Sequence, residues 1–114
     1  MSNKDLIIFD KIIKYAKETI VFTQFISYEE FKEDRKTIAA CVFNISQIGE
    51  LVKNIDKKTT DKYKNIKWIA IRGLRNRIVH DYEGIQVDRI WQTIQGDLPN
   101  LIEEINKIKK TRTS

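Results

Sequence analysis

Apolar residues recur along this chain at intervals of three and four, the spacing that lines up side chains on one face of an α-helix. A first stripe predicts a helix over about residues 5–26 and consists of Leu6, Phe9, Ile13, Ala16 and Ile20. Ser27 followed by Glu30 is typical of a capping box, so a second helix is expected to begin at Tyr28. A second stripe extends this helix to about residue 55 and consists of Ile38, Cys41, Ile45, Ile48, Val52 and Ile55.

The second half of the chain predicts a loop, a short turn and two more helices. Residues 56–60 contain no apolar side chain and should form the loop, with the turn over residues 61–65. The third helix is expected to end at Gly84. Its buried stripe consists of Trp68, Ile71, Leu74 and Ile78. The last helix has a stripe of Val87, Ile90, Ile94, Leu98, Leu101, Ile105 and Ile108.

Two of these helices contain residues that helix propensity does not favour. Pro99 should bend the last helix near Gly96, because proline lacks a backbone donor and crowds the carbonyl of Gln95. Gly49 in the second helix costs ~1 kcal/mol against alanine, and close approach of another helix would explain it. The neighbouring Glu50 either faces a cleft or lies on the surface, which is the more common place for a glutamate.

These patterns predict an all-α fold, an antiparallel up-and-down bundle of four to five helices. The chain has 114 residues, enough for one core and too few for two, so residues 1–114 are expected to form a single domain. One proline and four glycines leave little material for hairpins. Residues 107–114, rich in Lys, Arg and Thr, are expected to be a frayed tail.

The net charge of +5 favours an anionic partner. Between residues 60 and 82 the acidic residues are Asp61 and Asp81, whereas the basic residues are Lys62, Lys64, Lys67, Arg72, Arg75 and Arg77. A basic patch is therefore expected in this part of the chain. The alternative explanation is a solvated helix face in a lysine-rich protein.

Cysteine usage and hydropathy indicate a soluble cytoplasmic protein. Cys41 is the only cysteine and lies within an apolar stripe, so it is expected to be a small core residue in a reducing compartment. No stretch approaches the ~18 apolar residues that a membrane span requires. We therefore expect no association with a membrane.

Candidate chemistry is concentrated between residues 72 and 84, which hold three arginines, the only histidine and a tyrosine. His80 titrates near neutrality, and the planar donor fork of Arg75 matches a phosphate group. These two residues are the candidate catalytic pair for phosphodiester chemistry without a metal. With one His and one Cys in the chain, a zinc site of the usual ligand types is close to excluded.

Helical spacing separates the two candidate catalytic residues. At 3.6 residues per turn, Arg75 falls on the apolar side, while His80 lies about 140° away beside Asn76. Because a lone buried arginine is costly, Arg75 is expected at a partly wet seam. Either the helix loosens near Val79 and lets His80 swing inward, or two copies of the motif meet across a two-fold axis.

The motif and its flanks resemble those of HepT-like ribonuclease toxins of the HEPN superfamily. The central match is Arg75-Asn76-x3-His80-x-Tyr82, and Leu74 stands where Met is frequent in the family. The flanking matches are Trp68 before the motif and Ile90-Trp91-x2-Ile94-x2-Asp97-Leu98-Pro99-x-Leu101 after it. With the shorter run Gln47-Ile48-Gly49-Glu50, the resemblance covers most of residues 38–105.

The resemblance implies a HEPN-like bundle that dimerises around a composite cleft and acts as a metal-independent endoribonuclease toxin without a cofactor. His80 would be the general base for the ribose 2′-hydroxyl or the acid for the leaving 5′-oxygen, and Arg75 would hold the phosphate. Asn76 would support them by orienting the phosphate or His80. Lys67, Arg72 and Arg77 are the candidates for further contacts with the RNA, an mRNA or a tRNA.

The resemblance also implies a partner. In a type VII-like HepT/MntA pair, an MntA-like nucleotidyltransferase antitoxin attaches AMP to the tyrosine that matches Tyr82. The added phosphate would lie beside Arg75 and fill the cleft.

Two other interpretations use the same residues. The chain could be a catalytically silent HEPN subunit that binds a nucleotidyltransferase, or a plain helical dimerisation module in which the polar motif is accidental. A single histidine near a helix end is more often a capped or surface residue. RNA cleavage by the purified protein distinguishes these interpretations from the ribonuclease.

Overall fold

The structure is a computed structural model that describes the backbone of residues 1–81 and 86–113 and the side chains of residues 1–74 and 86–111. Within these residues the fold is all-α, as predicted. Its elements are α1 (Asn3–Phe22), α2 (Tyr28–Glu33), α3 (Arg35–Val52), α4 (Lys57–Lys62), α5 (Trp68–Asp81), α6 (Val87–Gln92), a π-helical turn (Thr93–Asp97) and α7 (Leu98–Thr113). The four long helices α1, α3, α5 and α7 form a bundle, and none of the helices in the described ranges is long and apolar enough to cross a membrane.

Helix α1 begins at Asn3, two residues before the predicted start, and ends earlier than predicted. The Ser2 hydroxyl oxygen accepts a hydrogen bond from the Asp5 amide at 3.1 Å and caps the first turn. The buried apolar face consists of Ile8, Phe9, Ile12, Ile13 and Ala16. Leu6 and Ile20 of the predicted stripe are only half-buried. The helix ends at Phe22 rather than near residue 26, because Thr23 donates both its amide and its hydroxyl back to the Ile20 carbonyl.

The prediction of one helix over residues 28–55 is wrong, because the helix is interrupted at Asp34. The capping box at its start is confirmed, with the Ser27 and Glu30 side chains exchanging hydrogen bonds with each other's backbone amides at 3.1 and 3.0 Å. Asp34 then ends α2 and caps α3. Its carboxylate accepts from the Thr37 amide at 3.0 Å and the Thr37 hydroxyl at 2.6 Å, which lowers the pKa of Asp34 below its ordinary value.

Helix α3 packs against both α1 and α5. Cys41 in α3 is fully buried, as expected for a core residue, and this burial, with a smaller effect of Asp34, raises the pKa of its thiol to about 12. Gly49 is also buried in α3. The Asn44 side-chain amide donates to the Glu18 carboxylate at 2.9 Å, which joins the middle of α3 to the second half of α1.

Helix α4 lies where the sequence predicts a loop and a turn. Its N-cap residue Asp56 makes no side-chain capping bond. A carboxylate from α1 replaces that cap, since the fully buried Asp5 accepts from the Asp56 amide at 3.1 Å and from the Thr59 hydroxyl at 2.6 Å. Asp5 at the start of α1 contacts Asp56 after the end of α3, and Glu18 near the end of α1 contacts Asn44 in the middle of α3. These contacts show that α1 and α3 are antiparallel.

The bend predicted near Gly96 stays a prediction, but the segment Thr93–Asp97 forms a π-helical turn, in which the Leu98 amide donates to the Thr93 carbonyl. Pro99 comes two residues after this turn, where the regular hydrogen-bond pattern of the helix is already interrupted. Residues 107–113 are helical rather than frayed, because Ile108 is buried in the core and Lys109 pairs with Asp10 of α1. Ser114 lies outside the described residues.

Candidate active site on helix α5

Helix α5 carries the motif, and its first turn is anchored to the core by Trp68. The indole ring is 8% exposed, lies 6.1 Å from the ring of Phe9 in α1, and donates its N–H to the Tyr63 carbonyl at 3.0 Å. Leu74 is buried and Ile71 half-buried, as the predicted stripe requires, while the Ile78 side chain lies outside the described residues. The start and the buried side of α5 are therefore held by α1 and α3.

The backbone is α-helical through Asp81, which places Arg75, Asn76, Arg77 and His80 on one helix. Their side chains lie outside the described part of the chain, and Tyr82 lies outside it altogether. Because the helix is regular at Val79, the structure does not have the loosened turn that would bring His80 to the side of Arg75. The meeting of two motifs across a two-fold axis stays a prediction.

The described turns of α5 show on which side of the helix the backbone position of His80 lies. Ile69 is 83% exposed, Arg72 is exposed, and a Cβ added to Gly73 would meet no atom within 4 Å. Asn76 and His80 come four and eight residues after Arg72, so helical spacing puts their backbone positions on this open side. Arg75 comes four residues after the half-buried Ile71 and belongs to the opposite, core-facing side.

A groove of about 320 Å³ lies between the first half of α5 and the start of α7. Ala70, Ile71 and Leu74 form one wall of it. Asp97, Asn100 and Glu104 contribute polar groups from the other wall. The groove therefore joins the motif helix to the segment that includes the Asp97-Leu98-Pro99 flank.

Comparison with known proteins identifies the family. The model of the Ribonuclease HepT-like family matches residues 12–108, well over half of the chain. This chain belongs to the HepT-like family. The match includes α5 with its motif and the segment around Asp97 that resembled the family in sequence.

Several relatives share most of their length with this HepT-like chain. "Putative RNase MJ0127" of Methanocaldococcus jannaschii is 35% identical over 87% of this chain and 82% of its own length. "Putative RNase TTE0752" of Caldanaerobacter subterraneus is 35% identical over 73% of this chain and 74% of its own. "Probable ribonuclease HepT" of Thermococcus cleftensis is 33% identical over 78% and 81%. No solved structure gives a significant match.

The basic residues around the HepT-like motif are on the surface where they are described. Lys67 and Arg72 are both exposed, as a contact with an anion requires, whereas the Arg77 side chain lies outside the described residues. Glu50 is partly exposed and forms an ion pair with Lys53 at 3.2 Å.

The groove beside the motif was not identified from the sequence. The spacing of Asp97, Asn100 and Glu104 places them along one side of a helix, but the pattern contains no sign that this side faces α5. In the part of the chain that the structure describes, no group of three His, Cys, Asp or Glu side chains could hold a metal ion.

Proposed function

We propose that this HepT-like chain is a metal-independent endoribonuclease, formed by one HEPN-like domain over residues 1–114, that acts as the toxin of a type VII-like HepT/MntA toxin–antitoxin pair. The observation that carries the proposal is the presence of Arg75, Asn76 and His80 together on α5, in a chain of the HepT-like family. The names of its relatives, which include two RNases and a ribonuclease HepT, support the same activity.

The proposed reaction is attack of a ribose 2′-oxygen on the adjacent phosphorus. The 2′-hydroxyl proton passes to a base, the new oxygen–phosphorus bond forms, and the bond to the 5′-oxygen breaks as that oxygen takes a proton. The products are a 2′,3′-cyclic phosphate and a 5′-hydroxyl end. Arg75 stabilises the charge that develops on the phosphate oxygens, and Asn76 orients the phosphate or His80.

A dimer supplies what one chain lacks. Within one α5, Arg75 and His80 occupy different sides of a regular helix. Two copies of α5 that meet across a two-fold axis bring the Arg75 of one protomer towards the His80 of its partner. Two histidines in one composite cleft also provide both a base and an acid for the reaction.

Control by an MntA-like nucleotidyltransferase antitoxin follows from the position of Tyr82, two residues after His80. Transfer of AMP from ATP to the Tyr82 hydroxyl would release pyrophosphate and place a phosphate near Arg75. That phosphate competes with the RNA for the guanidinium, and the nucleotide occupies space in the cleft.

The test is RNA cleavage by the purified protein with and without a metal chelator. We expect equal cleavage in both, loss of at least about 100-fold in rate for His80→Ala and Arg75→Ala, and unchanged melting of both variants. Lys17→Ala is the control for the lost charge, because Lys17 is exposed on α1. Cleavage at the wild-type rate by either variant would contradict the role of that residue, and loss of cleavage in the chelator would contradict the metal-free mechanism.

A further inference from the structure

A second groove lies on the open side of α5, between the end of α3, helix α4 and the first turn of α5. We call it the α4–α5 groove, and its volume is about 630 Å³. One carboxylate, Asp61, lines it. The cationic side chains that line it are Lys53, Lys57, Lys64, Lys67 and Arg72. Five positive charges against one negative charge make this groove basic.

Three of these charges are available to a ligand. Lys57 pairs with Asp61 at 2.8 Å and Lys53 pairs with Glu50 at 3.2 Å. Within the described residues, Lys64, Lys67 and Arg72 make no ion pair, and all three are exposed. The groove also lies at the N-terminal end of α5, where the helix dipole adds to the positive potential.

The groove has an apolar component that matches nucleotides better than it matches a simple anion. Ile69 lines the groove and is 83% exposed although it is a large aliphatic side chain. Val52 and Ile55 contribute buried apolar surface beneath it. Nucleic-acid chains present charged phosphates and flat base faces in alternation, so a surface that recognises them combines cations with apolar contacts.

The groove lies on the same side of α5 as the backbone positions of Asn76 and His80. Arg72 belongs to the groove, and Asn76 and His80 follow it at intervals of four residues, on the same side of α5. At 1.5 Å per residue, Arg72 and His80 are separated by about 12 Å along the helix axis. A strand that occupies the groove therefore continues along α5 to the motif without turning around the helix.

We infer that the α4–α5 groove binds the phosphates of the RNA strand on one flank of the scissile bond, with Lys64, Lys67 and Arg72 as the contacts. This inference rests on the proposed ribonuclease function and extends it from the cleaved phosphate to its neighbours. It adds Lys64 and the exposed Ile69 to the residues expected from the sequence. It also makes several nucleotides, rather than one, the unit that the protein recognises.

The experiment measures binding rather than cleavage, so that the two proposals can fail separately. The probe is a fluorescent 2′-O-methyl RNA of about 16 nucleotides, which lacks the attacking hydroxyl and stays intact. Anisotropy titrations over a range of salt concentrations compare the wild type with Lys64→Ala/Lys67→Ala. The matched control is Lys14→Ala/Lys17→Ala, which removes two exposed lysines from α1. Polyglutamate serves as a competitor that has charge without bases.

Loss of two phosphate contacts should reduce the magnitude of the slope, in a plot of log association constant against log salt concentration, by about 1.4. It should also weaken binding about tenfold near 0.15 M salt. The α1 control should keep the wild-type slope. Equal slopes for both double variants would overturn the inference, as would competition by polyglutamate at the same charge concentration, which would indicate an acidic protein segment instead. Loss of cleavage in His80→Ala with normal RNA binding leaves the groove intact, whereas binding without any cleavage by the wild type contradicts the proposed function alone.

Discussion

The interpretation as a regulated toxin and the interpretation as a plain helical module differ most in what they predict for Tyr82. Phenylalanine keeps the ring but removes the hydroxyl that would accept AMP. We therefore expect Tyr82→Phe to fold, to retain at least some RNA cleavage and to gain no mass from the partner nucleotidyltransferase and ATP. Intact mass spectrometry of wild type and variant, incubated side by side, measures this directly. Equal addition of AMP to both proteins would show that Tyr82 is not the acceptor.

Asp34 makes the junction of α2 and α3 sensitive to pH. Hydrogen bonds from Thr37 favour its ionised form and lower its pKa in the folded state. Its contribution to stability is therefore present above the pKa of the unfolded chain and is lost as the pH falls through the lower folded value. In urea unfolding, Asp34→Ala should be less stable than wild type at neutral pH, and the difference should shrink towards about pH 2.

The control for this residue is Asp34→Asn, which keeps an acceptor at the cap but does not ionise. It should reduce the loss seen with alanine and should show no added dependence on pH in this range. A difference between wild type and Asp34→Ala that stays constant from neutral to acid pH would mean that the carboxylate charge does not matter at this junction.

At the scale of elements, helix α4 depends on a residue from α1. The carboxylate of Asp5 is fully buried and accepts from the Asp56 amide and the Thr59 hydroxyl, so alanine leaves the buried Thr59 hydroxyl and the partly buried Asp56 amide without this partner. We expect Asp5→Ala to lower the free energy of unfolding by about 2–4 kcal/mol. Asp5→Asn should cost less, because its amide oxygen still accepts and its amide nitrogen can donate to Thr59.

Urea unfolding measures both variants, with Asp10→Ala as the control on the same helix. Asp10 pairs with Lys109 at an exposed site, where an ion pair contributes little. A loss for Asp5→Ala no larger than that for Asp10→Ala would mean that α4 does not rely on this contact. Hydrogen exchange of the α4 amides gives a second measurement, since they should open more readily in Asp5→Ala alone.

At the scale of the whole molecule, the separation of Arg75 and His80 on one helix predicts a homodimer whose interface includes α5. A Cβ added at Gly73, in the middle of α5, would meet none of the described atoms within 4 Å, which permits close approach of a second chain there. Sedimentation at micromolar concentration should give a dimer. Gly73→Gln should leave the protomer folded, because a Cβ there would meet none of the described atoms within 4 Å, but should weaken the dimer and cleavage together.

Gly96→Gln is the matched control, since Gly96 is equally open but lies in the π-helical turn outside α5. It should leave the dimer in place. A strictly monomeric wild type that cleaves RNA would contradict the proposal of a site shared by two protomers. A Gly73→Gln variant that loses the dimer and retains full activity would contradict it as well.

Much of this protein is determined by local spacing. The apolar stripes predict the all-α fold and the buried positions Trp68 and Leu74 of α5, because i, i+3 and i+4 neighbours share a face in any helix. The capping box at Ser27 and Glu30 acts within one turn for the same reason. The break at Asp34 was missed, although the Asp34-x-x-Thr37 pattern is a local signal for a helix cap. The residues of the motif, and their separation on one helix, also follow from the sequence.

Only the tertiary structure decides which of these faces meet. Helix α4 lies in a segment without apolar residues and is held to α1 by Asp5, which accepts from the Asp56 amide 51 residues later and from the Thr59 hydroxyl. Periodicity carries no information about such a contact. Ile108 and Lys109 hold the end of α7 in helix through contacts with the rest of the bundle, where composition favours a frayed tail. The two grooves beside α5 are each lined by residues from distant segments, one by α5 with the start of α7 and the other by α5 with α4 and the end of α3. Each of these depends on packing between distant segments, which the local spacing of residues does not specify.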